Sequence, residues 1–252
     1  MRRLLLIGIG AGDPDHVTVQ AVAALNVFDV LFVVTKHGAD ELVALRRAVV
    51  DRHRTAGPHR TVELADPPRP WREAPDYRAA VARWREERVA LWAAALRDEL
   101  ADGETGAFLV WGDPSLYEST LAVVQEIAER GALAFDLDVI PGVSSLHALT
   151  ARHRIALNRV GRAVLVTPAR LLAGGMPADV DDVVVMLDAG VTFATLDPTD
   201  LHIYWGAYLG TEDELLVSGP LAEVAGEIAR LRAQAKADKG WIFDIYLLRR
   251  CA

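Results

Sequence analysis

The sequence holds a single cysteine, Cys251, so no internal disulfide can form and a reducing compartment is the natural setting. It has no surplus of positive charge: 27 Lys and Arg stand against 35 Asp and Glu, a net charge of −8. Neutralising phosphates needs clustered cations, so nucleic acid is not an expected partner. Long apolar runs are missing too. Leu4-Leu5-Leu6-Ile7 gives way at once to glycines and Asp13, which is too short for a signal peptide or a membrane span. The expectation is a cytoplasmic protein with no membrane partner. The seven histidines show no His-Glu-x-x-His spacing and there is no cysteine pair, so no protein-bound metal site is expected. No Gly-x-Ser-x-Gly elbow occurs either, which argues against a hydrolase nucleophile.

What is present is a chain of 252 residues, 52% hydrophobic and 25% charged, enough for one large or two modest cores. In the first half, short apolar runs alternate with helix-period segments. Arg3 to Gly8, Val30 to Thr35, Arg60 to Ala65, Ala107 to Trp111 and Leu137 to Ile140 read as strands. Val17 to Phe28, Asp40 to Val50, Asp76 to Leu100 and Leu116 to Arg130 read as helices, and the proline-rich stretch from Asp66 to Trp71 as a loop. Such alternation predicts a mainly parallel sheet covered by helices. After about residue 160 the runs shorten. Val164 to Thr167, Val183 to Leu187, Ile203 to Tyr208, Leu215 to Ser218 and Trp241 to Leu248 predict an antiparallel or mixed sheet. The reading is therefore α/β, with an N-terminal domain over 1–112 and a C-terminal domain over 113–252.

Three strand ends carry residues suited to chemistry. Gly8-Ile9-Gly10-Ala11-Gly12-Asp13-Pro14 follows the first strand, and a Gly-rich turn there lets backbone amides approach a ligand. The sixth place of the dinucleotide fingerprint is filled by Asp13, which repels a pyrophosphate. The second strand ends in Thr35-Lys36, without the acid an NAD ribose needs. NAD is therefore not the expected cofactor; the alternative to ligand binding is a tight structural turn. Trp111-Gly112-Asp113-Pro114-Ser115-Leu116-Tyr117 is the second corner, where Asp113 either caps the next helix or anchors a polar ligand group. Pro141-Gly142-Val143-Ser144-Ser145 is the third, and its serines suit an N-cap. His16 lies just past the first Gly-Asp-Pro, as a helix-start residue or as a catalyst.

Taken in order, these three corners, with Val17-Thr18-Val19-Gln20-Ala21 after the first, resemble the tetrapyrrole (corrin/porphyrin) methylases over essentially the whole chain. The resemblance implies two α/β domains with S-adenosyl-L-methionine in the cleft between them, and a homodimer. It implies that Gly10, Gly12, Pro14, Gly112, Asp113, Pro114, Tyr117, Ser144, Ser145, Leu187, Leu209 and Gly210 form the cofactor site. Within the family, four segments look like the deacetylating branch: Trp111–Thr120, His153-Arg154-Ile155-Ala156-Leu157-Asn158, Ile203–Gly210 and Gly240–Leu248. That branch methylates carbon 1 of the precorrin-5 ring and releases acetate to give precorrin-6A. Trp111, where most members carry glycine, and Ser144-Ser145, where Thr-Ala is frequent, speak against a generic uroporphyrinogen methylase.

Methyl transfer from a sulfonium needs alignment more than acid–base groups, and orientation can supply about 7–11 kcal/mol of a barrier. Acetate release is more demanding, because water must attack the acetyl carbonyl; Asp13, His16 and Tyr204 are the candidate groups. Arg159, Trp205 and Tyr208 are candidates to meet a flat anionic macrocycle. The rival readings are another precorrin or uroporphyrinogen methylase, and a non-catalytic protein that binds a tetrapyrrole or nucleotide.

Overall fold

The computed structural model describes residues 1–35, 40–68, 75–131 and 133–251, and the side chains of Asp40 and Glu41 are not among them. Lys36 and His37, and the Arg69–Trp71 end of the expected proline-rich loop, lie outside the described residues. Two compact units emerge: Met1–Gly10 with Pro14–Val143, and Ala11–Asp13 with Ser144–Ala252.

The first unit is built on a five-stranded sheet in the order β3-β2-β4-β1-β5, parallel throughout. Its strands are β1 (Arg2–Gly8), β2 (Val30–Thr35), β3 (Arg60–Ala65), β4 (Thr105–Val110) and β5 (Phe135–Ile140). Between them run α1 (Val19–Leu25), α2 (Asp40–His53), α3 (Tyr77–Glu99) and α4 (Thr120–Glu129). β1 is buried on both faces, as a central parallel strand must be. Leu4 and Leu6 join Phe32, Phe108 and Trp92 in one core, whereas Leu5 and Ile7 join Leu31, Val33, Ala107 and Leu109 in the other. Trp92 of α3 stacks on Phe108 at 4.8 Å. Fully burying a side chain of this class stabilises by about 1.5–3 kcal/mol, so the two cores carry this unit.

Gly112, where the sequence placed a domain boundary, lies between β4 and β5 of this one sheet. The division follows Val143 instead, because β5 pairs with β1 from Arg2↔Phe135 to Ile7↔Ile140. α4 begins at Thr120 rather than Leu116. Tyr117 takes φ 51°, a left-handed conformation that no helix interior tolerates.

The second unit holds a mixed sheet in the order β6-β7-β10-β8-β9. Its strands are β6 (Val164–Pro168), β7 (Asp182–Met186), β8 (Leu201–Ala207), β9 (Leu215–Pro220) and β10 (Asp244–Arg250). β6 and β7 are parallel, and the remaining pairs are antiparallel. α5 (Ser145–His153) covers one face and α6 (Leu221–Lys239) the other. α6 did not stand out in the sequence, since Gly226 and seven charged residues dilute its stripe. Its apolar side, from Leu221 through Ile228, seals a core of Val183, Val185, Ile203, Trp205, Tyr246 and Leu248.

Candidate active site

Parallel sheets bind ligands at the carboxyl ends of their strands. In the first unit β1, β4 and β5 end side by side in glycine loops. Gly10 and Gly112 exchange backbone hydrogen bonds, with the Gly112 N–H donating to Gly10 O at 2.8 Å. A Cβ on Gly8 would come within 2.6 Å of the Gly142 nitrogen, and one on Gly142 would collide with the Gly112 carbonyl oxygen. Glycine is required at these places because three backbones meet there.

Asp113 ties the corner together. Its Oδ2 accepts the Gly142 N–H at 2.9 Å, and its Oδ1 accepts the Ser115 N–H at 2.9 Å and the Ser115 hydroxyl. A cap of the next helix, one of its two sequence readings, is not its role, because α4 has Ser119 at its N-cap. Two residues before Ser119, Tyr117 is 42% exposed at φ 51°. Ser119 itself is gripped by Arg88 of α3, whose Nη1 donates to Ser119 Oγ at 2.6 Å and whose Nε pairs with Asp66 at 2.8 Å. Arg88 and Asp66 are both enclosed, and Trp92 stacks under the guanidinium at 4.4 Å.

Pro14, Asp15 and His16 form a 3-10 turn in the first unit. His16 is half-buried, and its Nδ1 is enclosed without a hydrogen-bond partner. Thr18 then caps α1, accepting the Ala21 N–H at 3.0 Å.

In the second unit, Gly12 reaches φ 158° and lies against the Leu209 carbonyl, where a Cβ would clash. Gly210 donates its N–H to Glu214 at 2.8 Å. Ser144 is buried at the start of α5 and shares a hydrogen bond with His147 Nδ1 at 2.9 Å, while Ser145 is the first helical residue. Leu187 is 61% exposed at φ 56°. A non-glycine residue held left-handed costs about 1–2 kcal/mol, and such strain gathers at ligand sites.

The group that enforces the Leu187 turn is Asp188, which the sequence reading passed over. Its carboxylate accepts from Gly190 N–H, Thr192 N–H, Thr192 Oγ1 and Tyr246 Oη at 2.7–3.0 Å. Arg232 donates to the Asp188 carbonyl and pairs with Asp244 at 2.8 Å. Burial, then Asp188, pushes the Tyr246 phenol far above its ordinary range, so it is a permanent donor. Leu-Asp-x-Gly after an apolar strand was the available sequence signal.

Tyr204 lies on the α5 face of the second sheet. Its ring meets His202 at 4.5 Å and His153 at 5.5 Å, and the Arg249 guanidinium at 5.8 Å. Burial holds both imidazoles below the usual histidine range, with Arg249 and then His153 adding to the effect at His202. Trp205 and Tyr208, candidates for a macrocycle, are core residues. Trp205 donates to Asp244 at 3.1 Å, and the Tyr208 hydroxyl to the Trp241 carbonyl at 2.6 Å. Arg159 is likewise engaged, with Asp182 at 3.2 Å. With Arg249, it fastens the 156–159 segment to the sheet. Among the described residues no group of three or more metal-ligating side chains comes together, and no helix is long and apolar enough to cross a membrane.

Residues 3–225 match the model of the Tetrapyrrole (Corrin/Porphyrin) Methylases. The chain is 48% identical to "Precorrin-6A synthase [deacetylating]" of Sinorhizobium sp., over all of this chain and 97% of that one. The crystal structure of a putative cobalamin synthesis related protein (CobF) from Corynebacterium diphtheriae superposes with a TM-score of 0.85 at 36% identity, each chain fully covered. Uroporphyrin-III C-methyl transferase from Thermus thermophilus, solved with S-adenyl homocysteine, has a TM-score of 0.60 at 21% identity, covering 98% of this chain and 97% of its own. At that identity the likeness is one of fold. The chain belongs to the tetrapyrrole (corrin/porphyrin) methylases.

Proposed function

We propose that this chain is an S-adenosylmethionine-dependent C-methyltransferase of corrin assembly, acting on precorrin-5 at carbon 1 and releasing acetate to give precorrin-6A. The observation that carries the reading is the end-to-end 48% identity to a precorrin-6A synthase of the deacetylating kind. The second class of reading, a non-catalytic binding protein, has no observation in its favour. Neither does another branch of the family, whose curated representatives match at 24–28%.

The residues present fit the cofactor. Gly10, Gly12 and Gly112 turn the strand-end loops at positive φ, and Tyr117 and Leu187 are held exposed at unfavourable φ. When bound, the cofactor supplies an electrophilic sulfonium methyl. Following the family pattern, Gly10, Gly12, Pro14, Gly112, Asp113, Pro114 and Tyr117 hold it, with Ser144, Ser145, Leu187, Leu209 and Gly210. The work of these loops is orientation: groups fixed before the reaction lower the barrier without an acid or base at the methyl carbon. Asp13, His16 and Tyr204 remain the groups assigned to acetate release. A homodimer in the cytoplasm completes the proposal. Incubating the protein anaerobically with precorrin-5 and S-adenosylmethionine tests it, with one acetate per methyl transferred as the expected result. Methylated product that retains the acetyl group overturns the deacetylating assignment.

A further inference from the structure

The turn that carries His16 is fastened from several sides. His53, at the end of α2, donates Nε2–H to the Pro14 carbonyl at 2.7 Å, and Arg52 pairs with Asp15 at 2.6 Å. On the other side Gly10 presses against His16 so closely that a Cβ there would clash with the His16 Cβ and lie 2.9 Å from its carbonyl oxygen. Glycine at position 10, at φ 81°, is what lets the imidazole occupy this place. The result is a firmly held residue whose ring Nδ1 is enclosed with no hydrogen-bond partner.

An unsatisfied buried nitrogen is costly, so one kept at a strand-end loop calls for a physical reason. The choice of tautomer follows from the same cost. Among buried backbone groups orphaned donors are rarer than orphaned acceptors, and by the same reasoning the enclosed Nδ1 is assigned the lone pair. In the neutral ring the proton then sits on Nε2. That tautomer offers an N–H, not a base.

We propose that His16 is a catalytic residue of the deacetylation, donating Nε2–H to the acetyl carbonyl oxygen as water adds to it. The inference rests on the function proposed above and deepens it. In the step, the water oxygen bonds to the acetyl carbon, and the carbonyl π pair moves onto oxygen, where the Nε2–H stabilises it. The proton of the water passes to solvent. When the adduct collapses the carbonyl reforms and the bond from ring to acetyl carbon breaks. Its electron pair enters the conjugated ring, and acetic acid leaves, ionising to acetate. No oxidant or reductant is consumed. Of the other two groups assigned to this step, Asp13 as a carboxylate can only accept, and the Tyr204 ring is packed among His202, His153 and Arg249.

The test uses the whole protein with anaerobic precorrin-5, measuring acetate release and S-adenosylhomocysteine affinity in His16→Ala and His16→Gln. Loss of an oxyanion donor typically slows a reaction about 10²–10³-fold, the fall expected for His16→Ala with cofactor affinity unchanged. Gln keeps an N–H and cannot take up a proton, so His16→Gln should retain most of the rate. Equal loss in both variants assigns a base and overturns the inference, as does acetate release untouched in His16→Ala, which spares the proposed function. A wild type that methylates without releasing acetate overturns both. Independently of activity, imidazole ¹⁵N shifts of the wild type should report the Nε2–H tautomer; an Nδ1–H tautomer overturns the inference.

Discussion

The carboxylate of Asp113 accepts the backbone N–H of Gly142, 29 residues further on, at 2.9 Å. One side chain thereby joins the loop after β4 to the loop after β5. The other oxygen is spent on Ser115, so both oxygens shape the corner itself. Asp113→Asn keeps one acceptor and sets an NH₂ against an N–H. Losing a hydrogen bond to a charged acceptor costs about 1.5–3 kcal/mol. The variant should lose stability of that order together with S-adenosylhomocysteine affinity, as read by denaturant titration and calorimetry. Unchanged affinity in a folded variant removes the loop from the cofactor site.

Gly142→Ala should be far more damaging than a glycine replacement where space is open. Its Cβ would meet the Gly112 carbonyl oxygen and the Gly8 backbone, whereas a Cβ on Gly174 meets nothing within 4 Å. Neither backbone can retreat without breaking the β1–β4 or β1–β5 ladder. Melting temperatures of the two variants, side by side, check this; equal values refute it.

Breaking the Arg88–Asp66 pair should cost about 3–5 kcal/mol, because either partner alone leaves an uncompensated buried charge. Arg88→Met with Asp66→Leu should recover much of that stability. It should not recover the Ser119 contact, so the double variant separates folding from the placement of the Tyr117–Ser119 segment. Denaturant midpoints and cofactor affinity together decide the matter.

S-adenosylhomocysteine should stabilise the fold by about 2.7 kcal/mol at a hundred times its dissociation constant, and NAD should not. A thermal shift with NAD and none with S-adenosylhomocysteine refutes the cofactor assignment.

Acid should weaken the second unit through His153 and His202. Burial depresses both, with Arg249 and then His153 adding to the effect at His202, and the hydrogen bond to the Trp205 carbonyl and then Glu214 opposing it at His153. Above the unfolded histidine value, about 6.5, both states are neutral and this contribution is fully present. As pH falls through that value the unfolded chain takes up protons that the folded one refuses, so stability drops. His153→Gln and His202→Gln should flatten the slope of stability between neutrality and pH 5; an unaltered slope refutes the assignment.

Much of the architecture is local enough to be written in the chain. The Leu4–Ile7 run must be buried on both faces, the alternation of runs and helical stripes demands a parallel sheet, and the shorter later runs give a mixed one. The Gly-Asp-Pro corners are likewise legible, because glycine and proline restrict the backbone by themselves. Tertiary structure decided the rest. Where the first unit ends depended on β5 pairing with β1, a contact between residues more than 130 apart that no local pattern encodes. Trp205 and Tyr208 resemble ligand-facing aromatics in sequence, but Asp244 and the Trp241 carbonyl take their polar atoms in the core. The left-handed Tyr117 and Leu187 are invisible in composition, since neither residue type favours that conformation by itself. The isolation of His16 Nδ1 is of the same kind: a missing partner exists only once every neighbour has been placed.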